Sequence, residues 1–142
     1  MSDVTWRGSR SVVVVLALLA GGVVGMGVDH LAFAQQPGIK RTELLRSAIP
    51  GDTVNEAVMA VAEIPAGAQA GRHRHYGIEL GYVLEGSVQL EHEGEATRTL
   101  AAGQGFKNAP GVHNAHNTGK APVKILAVYI VQKGKPLAEP VP

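Results

Sequence analysis

The run Gly71-Arg72-His73-Arg74-His75-Tyr76-Gly77-Ile78-Glu79 places two histidines two residues apart and a glutamate four residues further on. Side chains alternate across an extended chain, so the imidazoles of His73 and His75 point to the same face. Glu79 keeps their parity, and if the chain stays extended through Tyr76-Gly77 its carboxylate returns to the same side. A third imidazole comes from a distant window, Pro110-Gly111-Val112-His113-Asn114-Ala115-His116-Asn117. Neutral imidazoles with a carboxylate beside them suit a first-row divalent metal ion, which a thiolate-free chain can still bind well. Four protein ligands on an octahedral ion leave two positions open for a substrate or for dioxygen.

Outward from these windows the pattern is one of short strands. Thr53 to Ile64 reads as a strand buried on both sides for much of its length, ended by Pro65-Ala66-Gly67. Ile78 to Leu84 is a second, followed by a tight turn at Glu85-Gly86. Ser87 to His92 alternates, Ala96 to Leu100 is short, and Val123 to Gln132 is long and rich in β-branched residues. Thr42 to Ile49 fits either a strand or one helical turn. The tail from Lys133, with Pro136, Pro140 and Pro142, is expected to be extended or loose. Many short strands and no helical period after the N-terminal leader indicate an all-β sandwich or barrel, present as a single copy.

The sequence resembles the cupin superfamily. Its first motif, G-x5-H-x-H-x3-E-x6-G, is met without departure by Gly67, His73, His75, Glu79 and Gly86. In the second motif His113 and Asn117 stand at the family's spacing. Pro110 and Gly111 lie three and two residues before His113, where the family has them at five and three. The resemblance implies a double-stranded β-helix (jelly-roll) barrel over about residues 53–133, and His73, His75, Glu79 and His113 as ligands of one divalent transition metal. Fe or Mn is favoured, with Zn, Ni, Co or Cu possible. It also implies a metal-dependent oxygenase, isomerase or decarboxylase acting on a small oxygen-rich molecule, with Glu79 as the general base if it leaves the metal. The alternative is a non-catalytic module of the cell envelope that holds a metal or a small ligand.

Further residues are weighed around this set. Tyr76, Phe106, Val83 and Asn117 are candidate pocket residues. His116 lies three residues from His113, so on a strand it faces away and is expected at the polar surface. His92 sits between glutamates near a turn, as a rim residue. Arg72 and Arg74 alternate with the ligand histidines and read as a solvated face in preference to a carboxylate-binding rim. Leu80, Tyr82 and Leu84 oppose the ligand side of their strand, and Leu126, Val128 and Ile130 oppose Ile125, Ala127 and Tyr129. A wall with one wet face should alternate apolar and polar residues, so a second layer is expected over these strands. It is either the N-terminal segment or a second subunit, and a homodimer is the expectation.

The whole-chain figures bound the rest. The 142 residues are 45% hydrophobic and 18% charged, with net charge +1. That is globular composition, and without a block of like charge a nucleic-acid partner is not expected. The absence of cysteine removes disulfides, thiolate ligands and cysteine nucleophiles. The hydrophobicity is uneven. Val12 to Val28 carries no charge, Arg7 and Arg10 precede it, and Ala32-Phe33-Ala34 follows. That describes a secretory signal peptide cleaved after Ala34, with an uncleaved membrane anchor as the weaker reading, because four glycines interrupt a run short for a span. The organisation expected is a signal peptide at 1–34, an N-terminal extension at 35–52, the barrel at 53–133 and a Pro-containing tail at 134–142. The mature protein would be periplasmic or secreted and free of the membrane.

Overall fold

The computed structural model describes residues 38–142, so the expected leader at 1–34 lies outside the described residues. Within them the chain is all β, in ten strands: β1 (Lys40–Ala48), β2 (Asn55–Ile64), β3 (His73–Arg74), β4 (Gly77–Glu85), β5 (Ser87–His92), β6 (Arg98–Ala101), β7 (Gly105–Asn108), β8 (His113–His116), β9 (Val123–Gln132) and β10 (Glu139–Pro140). They form two five-stranded antiparallel sheets, ordered β1-β2-β9-β4-β7 and β10-β3-β8-β5-β6. The undecided segment near Thr42 is therefore a strand, paired along its length with β2. The tail contributes β10, which pairs with β3 and lies at the edge of the second sheet. No helix among the described residues is long and apolar enough to cross a membrane.

Strand β9 shows how the sequence sets the layers. Val123, Ile125, Ala127, Tyr129 and Val131 are buried, and the residues between them are partly exposed. Val58, Val83, Val88 and Val123 are fully buried between the sheets, each stabilising the fold by about 1.5–3 kcal/mol relative to an exposed side chain. Chain direction changes sheet at Gly86, whose positive φ of 80° suits glycine and which turns β4 of the first sheet into β5 of the second. A Cβ there would also come within 2.9 Å of the Val123 side chain.

The outward face of the first sheet is apolar. Strand pairing aligns Ala57 with Ile130 and Ile78, Met59 with Val128 and Leu80, and Val61 with Leu126 and Tyr82. Leu80 and Tyr82 are each 47% exposed. β1 joins the edge of this sheet in the plane of its strands, so nothing among residues 38–142 covers the face. Large contiguous apolar patches are uncommon on monomers and mark contact surfaces.

Asn117, fully buried, ties the loops together. Its Nδ2 donates to the carbonyls of Ile64 at 2.9 Å, Pro65 at 3.0 Å and Ala121 at 2.8 Å. Its Oδ1 accepts from the Gly119 N–H at 2.9 Å. The same side chain thus fixes the end of β2 against the β8–β9 connection, and it is a strut where the sequence suggested a pocket residue. Asn117→Ala leaves these buried carbonyls unpaired and should cost about 2–4 kcal/mol. Denaturant unfolding of the variant checks this, and a loss below about 1 kcal/mol would contradict the role.

Candidate metal centre

Strand register assembles the site from both sheets. In the second sheet His73 pairs with His113, and His113 pairs with His92 on its other side. In the first sheet Glu79 pairs with Asn108 on one side and with Tyr129 on the other. The two rows face one another across the interior. His73, His75, His113 and Glu79 are all buried. The ligand atoms of the three histidines lie within 4.8 Å of one another. The sheets thus bring together all four residues singled out from the sequence.

Each imidazole is oriented by the backbone. The Nδ1 of His73 lies 2.8 Å from the Gly71 carbonyl, that of His75 2.5 Å from the Leu137 carbonyl, and that of His113 3.2 Å from the Gly111 carbonyl. A carbonyl only accepts, so each Nδ1 carries the proton and each Nε2 presents a lone pair to the interior. The Nε2 atoms of His75 and His113 are buried without a hydrogen-bond partner. They stand 3.3 and 3.6 Å from Glu79 Oε2. Ring nitrogens and a carboxylate oxygen converging at such distances need a cation among them, a proton in the metal-free chain or a metal ion in its place, and imidazoles held by backbone carbonyls are the usual support of metal-ligating histidines. The donor set therefore fits a divalent ion.

The charges are consistent with that fit. Burial, then the neighbouring His113, pushes the His73 imidazole from 6.5 down to about 3, so it stays neutral. Burial opposes ionisation of Glu79, but the facing His113 and His75 outweigh it and hold the carboxyl well below its usual range. Asn108 Nδ2 donates to Glu79 Oε2 at 2.7 Å and fixes the carboxylate. Burial, and next the Glu79 charge, pushes the Tyr129 phenol well above its usual value, so it remains a donor.

The other sequence candidates are placed differently. Phe106 lines the interior cavity next to the site. Val83 is a fully buried core residue and does not line it. Tyr76 lies outside the cavity too, because its hydroxyl is held by Glu139 at 2.9 Å. Arg74 pairs with Glu139 at 2.5 Å and Arg72 with Glu93 at 3.6 Å, both at the surface. His116 is partly exposed. His92 stacks on His113, ring centroids 5.7 Å apart and planes 10° from parallel. Four contributors were missed: Arg41, Asn108, Tyr129 and the Leu137 carbonyl. For Asn108 the signal was present, since it shares parity with Phe106 on a strand. The Leu137 carbonyl offered none, being a backbone atom of a proline-containing tail.

A family model described as a cupin domain matches residues 60–129. Three solved structures show how far the fold likeness extends. A protein from Klebsiella pneumoniae with a double-stranded β-helix domain superposes with a TM-score of 0.59 at 21% identity, covering 70% of this chain and 82% of that one. A cupin domain from Bordetella pertussis gives 0.51 at 22% identity, covering 67% and 95%. A recombinant oxalate oxidase in complex with glycolate gives 0.59 at 19% identity, covering 78% and 64%. No curated protein matches the chain.

The His73 environment sets a pH dependence. The unfolded chain takes up a proton at His73 near pH 6.5, whereas the folded chain does so only near 3. Its contribution is therefore complete above about pH 6.5 and is lost progressively as pH falls towards 3. Denaturant melts of chelator-treated protein at pH 7, 5 and 4 should show this decline, and His73→Leu should flatten it. An equal decline in both proteins would contradict the assignment.

Proposed function

Because the chain belongs to the cupin superfamily, we propose that it is an exported metal-dependent enzyme acting on a small oxygen-rich organic molecule. The observation that carries the reading is the convergence of buried Nε2 lone pairs and one carboxylate oxygen, with every Nδ1 proton committed to a backbone carbonyl. His73, His75, Glu79 and His113 would hold a single first-row divalent ion, Fe or Mn before Zn, Ni, Co or Cu. When bound, the ion supplies Lewis acidity and a template with open positions.

The chain's own groups do the rest. The backbone carbonyls on the second nitrogens fix the three rings with Nε2 facing the interior, and burial keeps His73 neutral. Glu79 stays ionised, kept in place by Asn108 Nδ2, and in the proposed reaction its free oxygen takes a proton from the substrate. Tyr129, protonated beside Glu79, donates a hydrogen bond to oxygen developing charge. Apolar walls exclude water from these charges. The fold likeness to an oxalate oxidase supports catalysis in preference to mere storage of the metal. The leader at 1–34 supports an address outside the cytoplasm, periplasmic or secreted, with the mature protein free of the membrane.

Two measurements test the reading. Metal analysis of protein from its native compartment should give about one ion per chain, and His75→Ala should lose it, because half of the facing imidazole pair around Glu79 is removed. Unchanged metal content in the variant would refute the ligand assignment, and stoichiometric zinc without turnover would favour the non-catalytic module. The apolar rows through Leu80, Leu126 and Val128 are proposed as the seam of a homodimer, each copy covering the other's exposed face. Val128→Asp should then halve the mass seen by light scattering without loss of the metal. A wild-type monomer at micromolar concentration would sink the dimer.

A further inference from the structure

We propose that the tail, residues 134–142, is a strap that aims the metal ligand His75, so that tail docking and metal binding form one coupled equilibrium. The inference rests on the metal-centre reading above and adds to it the segment that controls metal retention. Three consecutive residues of the ligand stretch are gripped by the tail. Glu139 Oε1 accepts from the Tyr76 hydroxyl at 2.9 Å, and its Oε2 accepts from Arg74 Nε at 2.5 Å. Between them the His75 Nδ1–H donates to the Leu137 carbonyl at 2.5 Å. Further along, the Val141 N–H donates to the Arg72 carbonyl at 3.0 Å.

This grip sets His75 apart from the other ligands. His73 and His113 are braced by carbonyls two residues back on their own segments, so those braces form with their strands. His75 lies between β3 and β4, outside any strand, and the acceptor for its Nδ1 comes from the far end of the chain. With the tail lifted, the Nδ1–H loses that acceptor, and the support that orients the ring goes with it. The converse holds through the ring's own proton. An ion on Nε2 commits that proton to Nδ1, where the Leu137 carbonyl takes the hydrogen bond. By linkage, the factor by which the docked tail tightens metal binding is the factor by which the ion tightens docking.

The tail is built to come away by itself. β10 is two residues long, pairs on one side only and lies at the edge of its sheet. Of residues 134–142, Leu137 and Ala138 alone are buried. The ion pair of Glu139 with Arg74 is exposed, and such pairs are weak alone. Few buried contacts and a free edge mark a segment that opens without global unfolding. β9, at the centre of the other sheet and buried at alternate positions, is the contrasting element.

Hydrogen exchange of the zinc-loaded and the chelated protein tests the strap, after zinc content has been measured. In chelated protein the tail amides should exchange faster than those of β9, and zinc should slow the tail at least about tenfold. Ala138→Arg, which puts a long charged side chain at a buried position, should lift the tail. It should lower zinc affinity at least about tenfold in competition with a chelator. Ala138→Ser fits the same space and should keep wild-type affinity and protection. Tail exchange that zinc leaves unchanged in the wild type overturns the proposal, whatever the folding of the variants. So does tail exchange no faster than that of β9 in the chelated protein. So does wild-type zinc affinity in a folded Ala138→Arg whose tail exchanges freely. A wild type that holds no zinc brings down the metal-centre reading and this inference with it, and the zinc measurement separates that outcome from failure of the strap alone.

Discussion

Three buried imidazoles and a buried carboxylate are tolerable in this interior because each proton has an assigned place. The carbonyls of Gly71, Leu137 and Gly111 accept hydrogen bonds from the Nδ1–H groups, and the Asn108 amide donates to the Glu79 carboxylate. Were any of these supports absent, a ring could turn or switch tautomer, and the inward lone pairs would no longer meet. Much of the fold is arranged to supply them. Gly71 and Gly111 precede β3 and β8 by two residues, so His73 and His113 are each braced by a local turn. His75 instead draws its support from Leu137, sixty-two residues away.

That long-range bond explains the ordered tail. Leu137 and Ala138 are buried, β10 pairs with β3, and Glu139 binds both Tyr76 and Arg74. The surface ion pairs add little alone. Buried backbone and side-chain contacts carry the tail onto the site, and the ion pairs set its register. Close strand approach matters equally at Gly77, where a Cβ would meet the Ile130 carbonyl at 1.9 Å. Any side chain there would push β4 off β9 and carry Glu79 out of reach of His75 and His113, so the glycine's role is to let the carboxylate's strand close on its neighbour.

The sequence made the strands with strong alternation legible. Val123 to Gln132 matches β9 at both ends, and His73, His75, Glu79 and His113, the set the cupin resemblance implies, are brought together in the interior. Elements whose character comes from partners were not legible. The two-residue β3 and β10 exist only through their partners, β3 held between β10 and β8 and β10 paired on β3. β7 and β8, with little apolar content, are strands because β4 and β5 offer them edges. The segment at Thr42 carries no clean alternation, and that ambiguity hid Arg41, whose inward direction follows only once β1 is aligned with β2. Asn117 was mistaken for a pocket residue because motif position does not reveal whether a polar side chain faces ligand or loop carbonyls.

Arg41 and Glu79 also show why site and fold are hard to separate here. They sit on β1 and β4 of one sheet, while His73 and His113 belong to the other, with His75 between β3 and β4. An ion bound by this set bridges the two sheets, so its binding energy counts towards their association. A chain without cysteine has no covalent bridge between sheets, and its apolar core ends where the polar cluster begins. The metal-free protein must hold that boundary together with three buried imidazoles, one ionised carboxylate and one guanidinium. An ion bound there would act as a cross-link between the sheets. Folding and metal retention would then be linked, each favouring the other.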